Sequence, residues 1–283
     1  MKTAVSSYSF SQYLGRGKDL LWAVETAAEL GFEGMEFTGL GGEAPEDLAA
    51  GVKDACAAFG LPIVSYTVGA NLLDNTPAAV EGVKRELQIA AILGAPVLRH
   101  DAAWRGPDQS KSEAEFDAVL PALADACRQI TQFAAELNIR TCVENHGYFV
   151  QDSIRCEKLA RAVADPNFGW LIDIGNFLCA DDDPVAATRR MAPFAVHVHA
   201  KDFRVTSAAA SAGKGGLRSR GGALLEGTAV GEGSVDVRGC VAAIEAAGYN
   251  GFISIEYEGS DDCLKGLAAG LKNLRAAYGL RQP

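Results

Sequence analysis

The sequence predicts an α/β fold, a single (β/α)8 or TIM barrel with a long loop after the seventh strand. Eight short apolar segments alternate with amphipathic segments along the whole chain, as expected when helices join parallel strands. No shift in composition marks a boundary between two domains in the 283 residues, and barrels of this kind commonly take about 250 residues. We therefore expect residues 1–283 to form one barrel domain.

Each element has its own signal. The predicted strands centre, in chain order, on Val5, Met35, Val64, Val97, Val143, Ile172, Val198 and Ile255. Apolar residues at helical spacing predict helices between them, for example over 20–30, 78–93 and 116–137. A glycine ends the helix before several strands, as in AELGFEGMEF, AAFGLPIVSY, AILGAPVLRH and EAAGYNGFISIEY, because glycine adopts the left-handed conformation without strain.

The segment 204–233 interrupts this alternation. It is rich in glycine, serine and alanine, and it carries no acidic residue before Glu226. Its basic residues are Arg204, Lys214, Arg218 and Arg220. A loop of this length in a compact domain is usually functional or disordered. Two interpretations stay open: a floppy surface insertion, or a lid-like insertion that closes over the barrel mouth or reaches a neighbouring subunit.

Composition excludes several classes of protein. No apolar run approaches the roughly 20 residues of a membrane span, and the amino-terminal MKTAVSSYSF lacks the apolar stretch of a signal peptide. The 26 basic and 36 acidic residues give a net charge of −10, which repels nucleic acid and anionic membranes. The seven cysteines form no C-x-x-C pair, so neither a disulfide framework nor a thiolate zinc site is expected. We expect a reduced, cytoplasmic protein.

Charged side chains cluster near the ends of the last four predicted strands, in TCVENHG, GWLIDIGNF, AVHVHAKDF and FISIEYEG. Active sites of (β/α)8 barrels lie at the carboxyl ends of the strands. Side chains alternate between the two faces of a strand. If the apolar residue before each one faces the helices, four side chains point together into the barrel: Glu144, Asp173, His199 and Glu256.

Three buried carboxylates at one point repel each other unless a cation compensates them. The simplest explanation is a divalent metal. Oxygen-rich ligation with one imidazole suits Mn²⁺, Mg²⁺ or Co²⁺, and we expect Mn²⁺ first. Zn²⁺ is less favoured, because a closed structural zinc site would use thiolates.

At VENH, LIDIGN, VHAKD and the closing GEGSVDV and AAGYNGFISIEYEG, the sequence resembles the xylose isomerase-like TIM-barrel superfamily. These are sugar isomerases and epimerases, including ketose 3-epimerases and inosose dehydratases, and the resemblance covers essentially the whole chain. It implies that Glu144, Asp173, His199 and Glu256 are metal ligands and that the two glutamates double as the acid/base pair. Asn176 stands where ketose 3-epimerases usually carry a substrate-holding histidine, which weakens that narrower assignment.

Other side chains near the strand ends are candidates for contact with substrate. His146 lies two residues beyond Glu144, and Lys201 points inward by alternation, either to bind substrate oxygens or to pair with a glutamate. The remaining candidates are Asn176, Arg99, His100, Glu36, Trp104 and Arg204. Ordinary packing is the alternative for Glu36 and Trp104. We interpret His197 as a hydrogen-bonded core residue and Asp202 as a loop-capping residue.

Taken together, these features predict a metal-dependent sugar or cyclitol isomerase or epimerase that works through an enediolate. A keto-inositol or keto-glycoside dehydratase or epimerase of the same superfamily is the first alternative. A non-catalytic carbohydrate-binding barrel, or a subunit of a larger enzyme, is the alternative from another class. The expected partner is a small sugar or cyclitol, with no nucleic acid and no membrane, and a homo-oligomer remains open.

Overall fold

A computed structural model describes residues 1–73, 77–213 and 215–278. The barrel strands are β1 (Lys2–Ser6), β2 (Met35–Thr38), β3 (Ile63–Val68), β4 (Val97–His100), β5 (Arg140–Glu144), β6 (Phe168–Asp173), β7 (Ala195–Ala200) and β11 (Phe252–Ile255). They are parallel and close in the order β1-β11-β7-β6-β5-β4-β3-β2. This closed barrel confirms the predicted (β/α)8 fold, and all eight predicted strand centres lie within its strands.

Helices surround the barrel. They are α1 (Ser11–Leu14), α2 (Leu20–Leu30), α3 (Pro45–Ala58), α4 (Pro77–Leu93), α5 (Glu113–Glu136), α6 (Ser153–Val163), α7 (Pro184–Met191), α8 (Val237–Ala246) and α9 (Cys263–Ala277). The helix α2 begins where the Asp19 carboxylate accepts the Trp22 N–H and ends at Gly31, whose φ is +86°. Within the described residues, no helix combines the length and the apolar character needed to cross a membrane.

The two faces of the strands pack differently. Val143, Ile172, Val198 and Ile255 are at most 1% exposed and belong to the main core between strands and helices. Alternate residues fill the barrel interior, where Val97, Cys142 and Leu171 form a separate apolar cluster. The residues that directly follow Val143, Ile172, Val198 and Ile255 therefore point into the barrel, as strand alternation requires.

The segment predicted as a long loop contains a small sheet. Its strands, β8 (Asp202–Thr206), β9 (Leu217–Arg218) and β10 (Leu224–Thr228), are antiparallel in the order β8-β10-β9. We call 202–228 the insertion sheet. The described part of the segment therefore contains regular structure that composition did not predict, while Lys214 lies outside the described residues.

The Asp202 carboxylate joins both ends of this insertion. It accepts backbone N–H groups from Phe203 at 2.9 Å, Gly231 at 3.0 Å, Gly233 at 2.9 Å and Val235 at 3.0 Å. The Asp202 side chain thus links the point where the chain leaves the barrel to the point where it returns. This agrees with the loop-capping role that the sequence suggested for Asp202.

Candidate active site

Four side chains converge at the carboxyl end of the barrel. Glu144 and Asp173 end β5 and β6, His199 lies near the end of β7, and Glu256 directly follows β11. Each offers one ligand atom, and these atoms all lie within 4.8 Å of one another. His199 Nδ1 is 3.8 Å from Glu144 Oε1, 3.8 Å from Asp173 Oδ2 and 3.7 Å from Glu256 Oε2. The structure brings together the four residues that strand alternation selected.

Two atoms of this cluster lack the partner that a buried polar atom normally has. Within the described part of the chain, Asp173 Oδ2 and His199 Nδ1 are buried without a hydrogen bond, although Lys201 Nζ lies 3.5 Å from Asp173 Oδ2. The other oxygen of Asp173 accepts the N–H groups of Gly175 at 2.8 Å and Asn176 at 2.9 Å. A divalent cation among the four residues would satisfy both orphaned atoms, and three carboxylates with one imidazole match the preferences of Mn²⁺, Mg²⁺ and Co²⁺. The residues present therefore fit a metal.

Two sequence motifs hold β5, β6 and β7 together at this point. In VENH, the Asn145 side chain accepts the Asp173 N–H at 2.9 Å and donates to the Asp173 carbonyl at 2.8 Å. In DIGN, Gly175 packs so closely that a Cβ there would lie 2.6 Å from the Lys201 carbonyl oxygen. These contacts fix the backbone that carries Asp173 opposite His199, its partner in the β6–β7 register.

Glu36 lies in the barrel interior against the far side of His199. Its two oxygens are 2.8 and 3.0 Å from His199 Nε2, and His197 Nε2 is 2.9 Å away. Burial by itself would raise the pKa of Glu36, but the two histidines hold it well below its usual value. The expectation that Glu36 lines the substrate pocket is corrected: the side chain is fully buried and orients the histidine from behind.

An ion-pair chain supports Glu144 on the opposite side. Arg99 Nη2 is 2.5 Å from Glu144 Oε2 and 2.7 Å from Asp101 Oδ1. The same Asp101 oxygen is 2.8 Å from His146 Nδ1. Burial disfavours the charged imidazolium, yet the hydrogen bond with Asp101 raises the pKa of His146. Asp101 was not foreseen, although it directly follows Arg99 and His100 at the end of β4.

Lys201 pairs with carboxylates, which is one of its two predicted roles. Its Nζ lies 2.6 Å from Glu256 Oε2, 3.1 Å from Glu258 Oε1 and 3.5 Å from Asp173 Oδ2. Burial would lower the pKa of Lys201, but these carboxylates hold it well above its usual value. Burial would likewise raise the pKa of Glu256, and Lys201 and His199 lower it instead. Glu258 was also not foreseen, although it lies two residues after Glu256, just as His146 lies two residues after Glu144.

A cavity of about 300 Å³ opens above the cluster. Its lining residues are Tyr8, Thr38, Gly39, Thr67, Val68, Gly69, Arg99, Glu144, His146, Lys201, Glu256 and Glu258. Among the four converging residues, only Glu144 and Glu256 belong to this wall. Asp173 and His199 are completely buried behind them. Asn176 also stands behind the wall and donates its side-chain N–H to Glu144 Oε1 at 2.9 Å.

The structure does not bring three further candidates to this cavity. His100 is fully buried with Nδ1 near the Asp101 carbonyl, and burial lowers its pKa to about 4. Arg204 lies on β8 with a largely exposed side chain, 3.7 Å from Glu232. Trp104 is 56% exposed and lines a neighbouring compartment instead.

Comparison with known proteins agrees with this architecture. The rhizopine catabolism protein MocC of Rhizobium meliloti is 28% identical over 259 residues, which cover 87% of this chain and 76% of that protein. The probable 3-DHS dehydratase AsbF from Bacillus anthracis superposes with a TM-score of 0.76 at 20% identity, covering 97% of this chain and 98% of that one. The 3-keto-D-glucoside 4-epimerase YcjR from E. coli gives 0.73 at 18% identity, covering 98% and 99%.

Structural likeness at these identities shows a shared fold. The sequence evidence goes further, because a family model described as the xylose isomerase-like TIM barrel matches residues 24–277. That match spans most of the chain and includes all four converging residues. This protein belongs to the xylose isomerase-like TIM barrel family.

Proposed function

We propose that this protein is a metal-dependent sugar or cyclitol epimerase or isomerase, with Glu144 and Glu256 as its acid/base pair. The observation that carries the proposal is that the four converging residues differ in their access to the cavity. The two glutamates line the cavity, whereas Asp173 and His199 are buried behind it. Residues that only hold a metal can be hidden, but groups that exchange protons with a substrate must reach it.

The four residues Glu144, Asp173, His199 and Glu256 would hold the metal, with Mn²⁺ preferred over Mg²⁺ or Co²⁺ and Zn²⁺ less favoured. Such an ion, when bound, would polarise a substrate carbonyl and stabilise the negative charge that develops on its oxygen. Removal of a proton from the adjacent carbon produces that charge.

The glutamates approach from different sides of the barrel. In the strand order, β7 and β6 lie between β11, which Glu256 follows, and β5, which Glu144 ends. In one direction of the reaction Glu256 accepts the carbon-bound proton and Glu144 donates one to the other face, and in the reverse direction the roles exchange. Lys201 holds Glu256, while Arg99 and Asn176 hold Glu144, so both carboxylates keep a defined position.

The similar structures support chemistry next to a ketone. The name of the 3-keto-D-glucoside 4-epimerase places a carbonyl beside the carbon that changes configuration. The name of the probable dehydratase indicates elimination of water, which removal of the same kind of proton also permits when a hydroxyl group stands one carbon further. A keto-inositol or keto-glycoside dehydratase is therefore the second candidate for this site.

Solvent exchange tests the proposal directly. The Mn²⁺-loaded protein is incubated in D₂O with a panel of ketoses, keto-inositols and 3-keto-glycosides, and carbon-bound deuterium is followed by NMR. We expect deuterium at the carbon next to the carbonyl of at least one substrate. Glu144→Gln and Glu256→Gln should each slow exchange by about 10²- to 10⁴-fold.

The matched control is Glu232→Gln, which changes an exposed glutamate of the segment 204–233 that does not line the central cavity, and it should leave exchange unchanged. A folded protein that binds Mn²⁺ but admits no deuterium into any member of the panel would support the non-catalytic carbohydrate-binding barrel. A folded protein that binds no divalent metal would contradict the proposal altogether.

A further inference from the structure

A second compartment of about 190 Å³ adjoins the central cavity. The two spaces share His146, Lys201 and Glu258 as lining residues. Away from this shared edge, the second compartment has large apolar walls from Trp104, Tyr148 and Leu217. We call it the Trp104 compartment. Exposed apolar side chains grouped beside a polar reaction site are typical of a ligand-binding surface.

The indole of Trp104 is exposed and packs against Gly147. Gly147, with φ at +75°, packs so tightly that a Cβ there would lie 2.9 Å from Trp104 Cδ1 and from the Ala103 carbonyl oxygen. The Arg105 N–H also donates to the Gly147 carbonyl at 3.0 Å. An aromatic side chain that packs against Gly147 and is still 56% exposed presents an apolar face to a ligand.

Leu217, another lining residue of the compartment, belongs to the insertion sheet, which is anchored to the barrel loops. The Tyr148 hydroxyl donates to the Arg218 carbonyl at 2.7 Å, and Arg220 donates to the Tyr148 carbonyl at 3.0 Å and to Asp152 Oδ2 at 2.7 Å. Tyr148 has φ at +62°, a conformation that a bulky residue rarely adopts and that often marks a functional position. These contacts anchor the strand that carries Leu217, which lines the compartment and is 39% exposed.

The charges around both spaces disfavour an anionic ligand. Arg99 is paired with Glu144 and Asp101, and Lys201 is paired with Glu256 and Glu258. Among the described residues that line the two spaces, every Arg or Lys side chain thus has a carboxylate partner. Arg220, a basic residue of the nearby segment 204–233, is also paired, since it anchors the insertion sheet through the Tyr148 carbonyl and Asp152. A phosphate group would meet Glu258 without a free cation to balance it.

We infer that the substrate is an uncharged ring ketone that bears a substituent with apolar surface, such as a glycosidic or ether group. The ring lies over Glu144 and Glu256, as the proposed function requires, and the substituent occupies the Trp104 compartment between the indole and Leu217. Burial of apolar surface on both walls stabilises the substituted ring relative to the bare one. Phosphorylated sugars are excluded as preferred ligands.

Calorimetric titration tests this inference without turnover. The Mn²⁺-loaded protein is titrated with D-glucose, phenyl β-D-glucopyranoside and glucose 6-phosphate. The same titrations of the metal-free protein distinguish binding to the compartment from binding to the metal ion. We expect the phenyl glucoside to bind at least about tenfold more tightly than glucose, and the phosphate no more tightly than glucose. Leu217→Ala and Trp104→Ala should each remove most of this preference.

Val205→Ala is the matched control, because Val205 is 41% exposed on the same insertion sheet but does not line the compartment. It should keep the preference. Equal affinity for the phenyl glucoside and glucose, tighter binding of the phosphate in metal-free protein, or an unchanged preference in both alanine variants would overturn the inference. Deuterium exchange into unsubstituted ketones reports separately on the acid/base chemistry of the proposed function. If exchange occurs but the protein does not prefer the phenyl glucoside over glucose, only the inference of an apolar substituent is refuted.

Discussion

Replacing Glu36 with glutamine should weaken metal binding even though Glu36 is not one of the four converging residues. The carboxylate accepts hydrogen bonds from Nε2 of both His197 and His199. Glutamine has the same shape but only one acceptor oxygen, and its amide would oppose one imidazole N–H group. His199 can then move its proton to Nδ1, which is the atom that faces the carboxylates.

The magnitude follows from this contact. Loss of the group that orients a metal-binding histidine typically costs about 10- to 100-fold in metal affinity, or about 1.4 to 2.7 kcal/mol. We expect a decrease within this range, because Glu36 is fully buried and both of its oxygens lie within 3.0 Å of His199 Nε2. Calorimetric titration of the metal-free protein with Mn²⁺ measures the change.

His197→Gln is the control for this prediction. It removes the other histidine from Glu36 and leaves the contact between Glu36 and His199 in place, so the Mn²⁺ affinity should change by less than about threefold. Wild-type affinity in Glu36→Gln would refute the reasoning. An equal loss in both variants would also refute it, because the effect would then come from general disturbance of the barrel interior.

Three further predictions concern stability and thiol chemistry. Burial lowers the pKa of His100 to about 4 from 6.5 in the unfolded chain, so the unfolded state binds the extra proton as pH falls and the free energy of unfolding should drop by up to about 3 kcal/mol between pH 6.5 and 4. Urea denaturation of His100→Gln should show a weaker pH dependence, and an unchanged one would contradict this account. Gly227→Ala places a Cβ 2.4 Å from the Glu258 carbonyl oxygen and should lower the free energy of unfolding by about 1 to 3 kcal/mol in thermal denaturation. Gly51→Ala, in α3 with no atom within 4 Å, should instead be neutral or stabilising. All seven cysteines are free and buried, and burial raises the pKa of Cys56 to about 12, so a thiol reagent should label none in the native protein and seven after unfolding without reductant.

Strand alternation predicted the converging residues because each follows an apolar residue that packs against the helices. Val143 and Ile255, for example, are at most 1% exposed in the main core, so Glu144 and Glu256 face the interior. Alternation predicts the face of a strand but not whether an inward side chain reaches the open cavity. Glu36 therefore points inward as expected and yet lies buried against histidines.

The insertion sheet could not be predicted from local sequence patterns. Leu225 of β10 pairs with Val205 of β8, twenty positions earlier in the chain, and the glycine and serine between them favour a loop by composition alone. The sequence also does not reveal that Arg220 of this segment contacts a backbone carbonyl and Asp152. Such partners depend on where distant loops meet, which no periodicity in the sequence reveals.

The contacts of Asp202 make the segment between its anchors exchangeable. The four N–H groups that its carboxylate collects come from both ends of the excursion, so the segment between them can lengthen, shorten or change composition while the junction stays the same. The entropic cost of a longer excursion grows only slowly with its length. Grafting another segment between the same anchors should therefore change the surroundings of the cavity while leaving Glu144, Asp173, His199 and Glu256, which lie on other elements, in place.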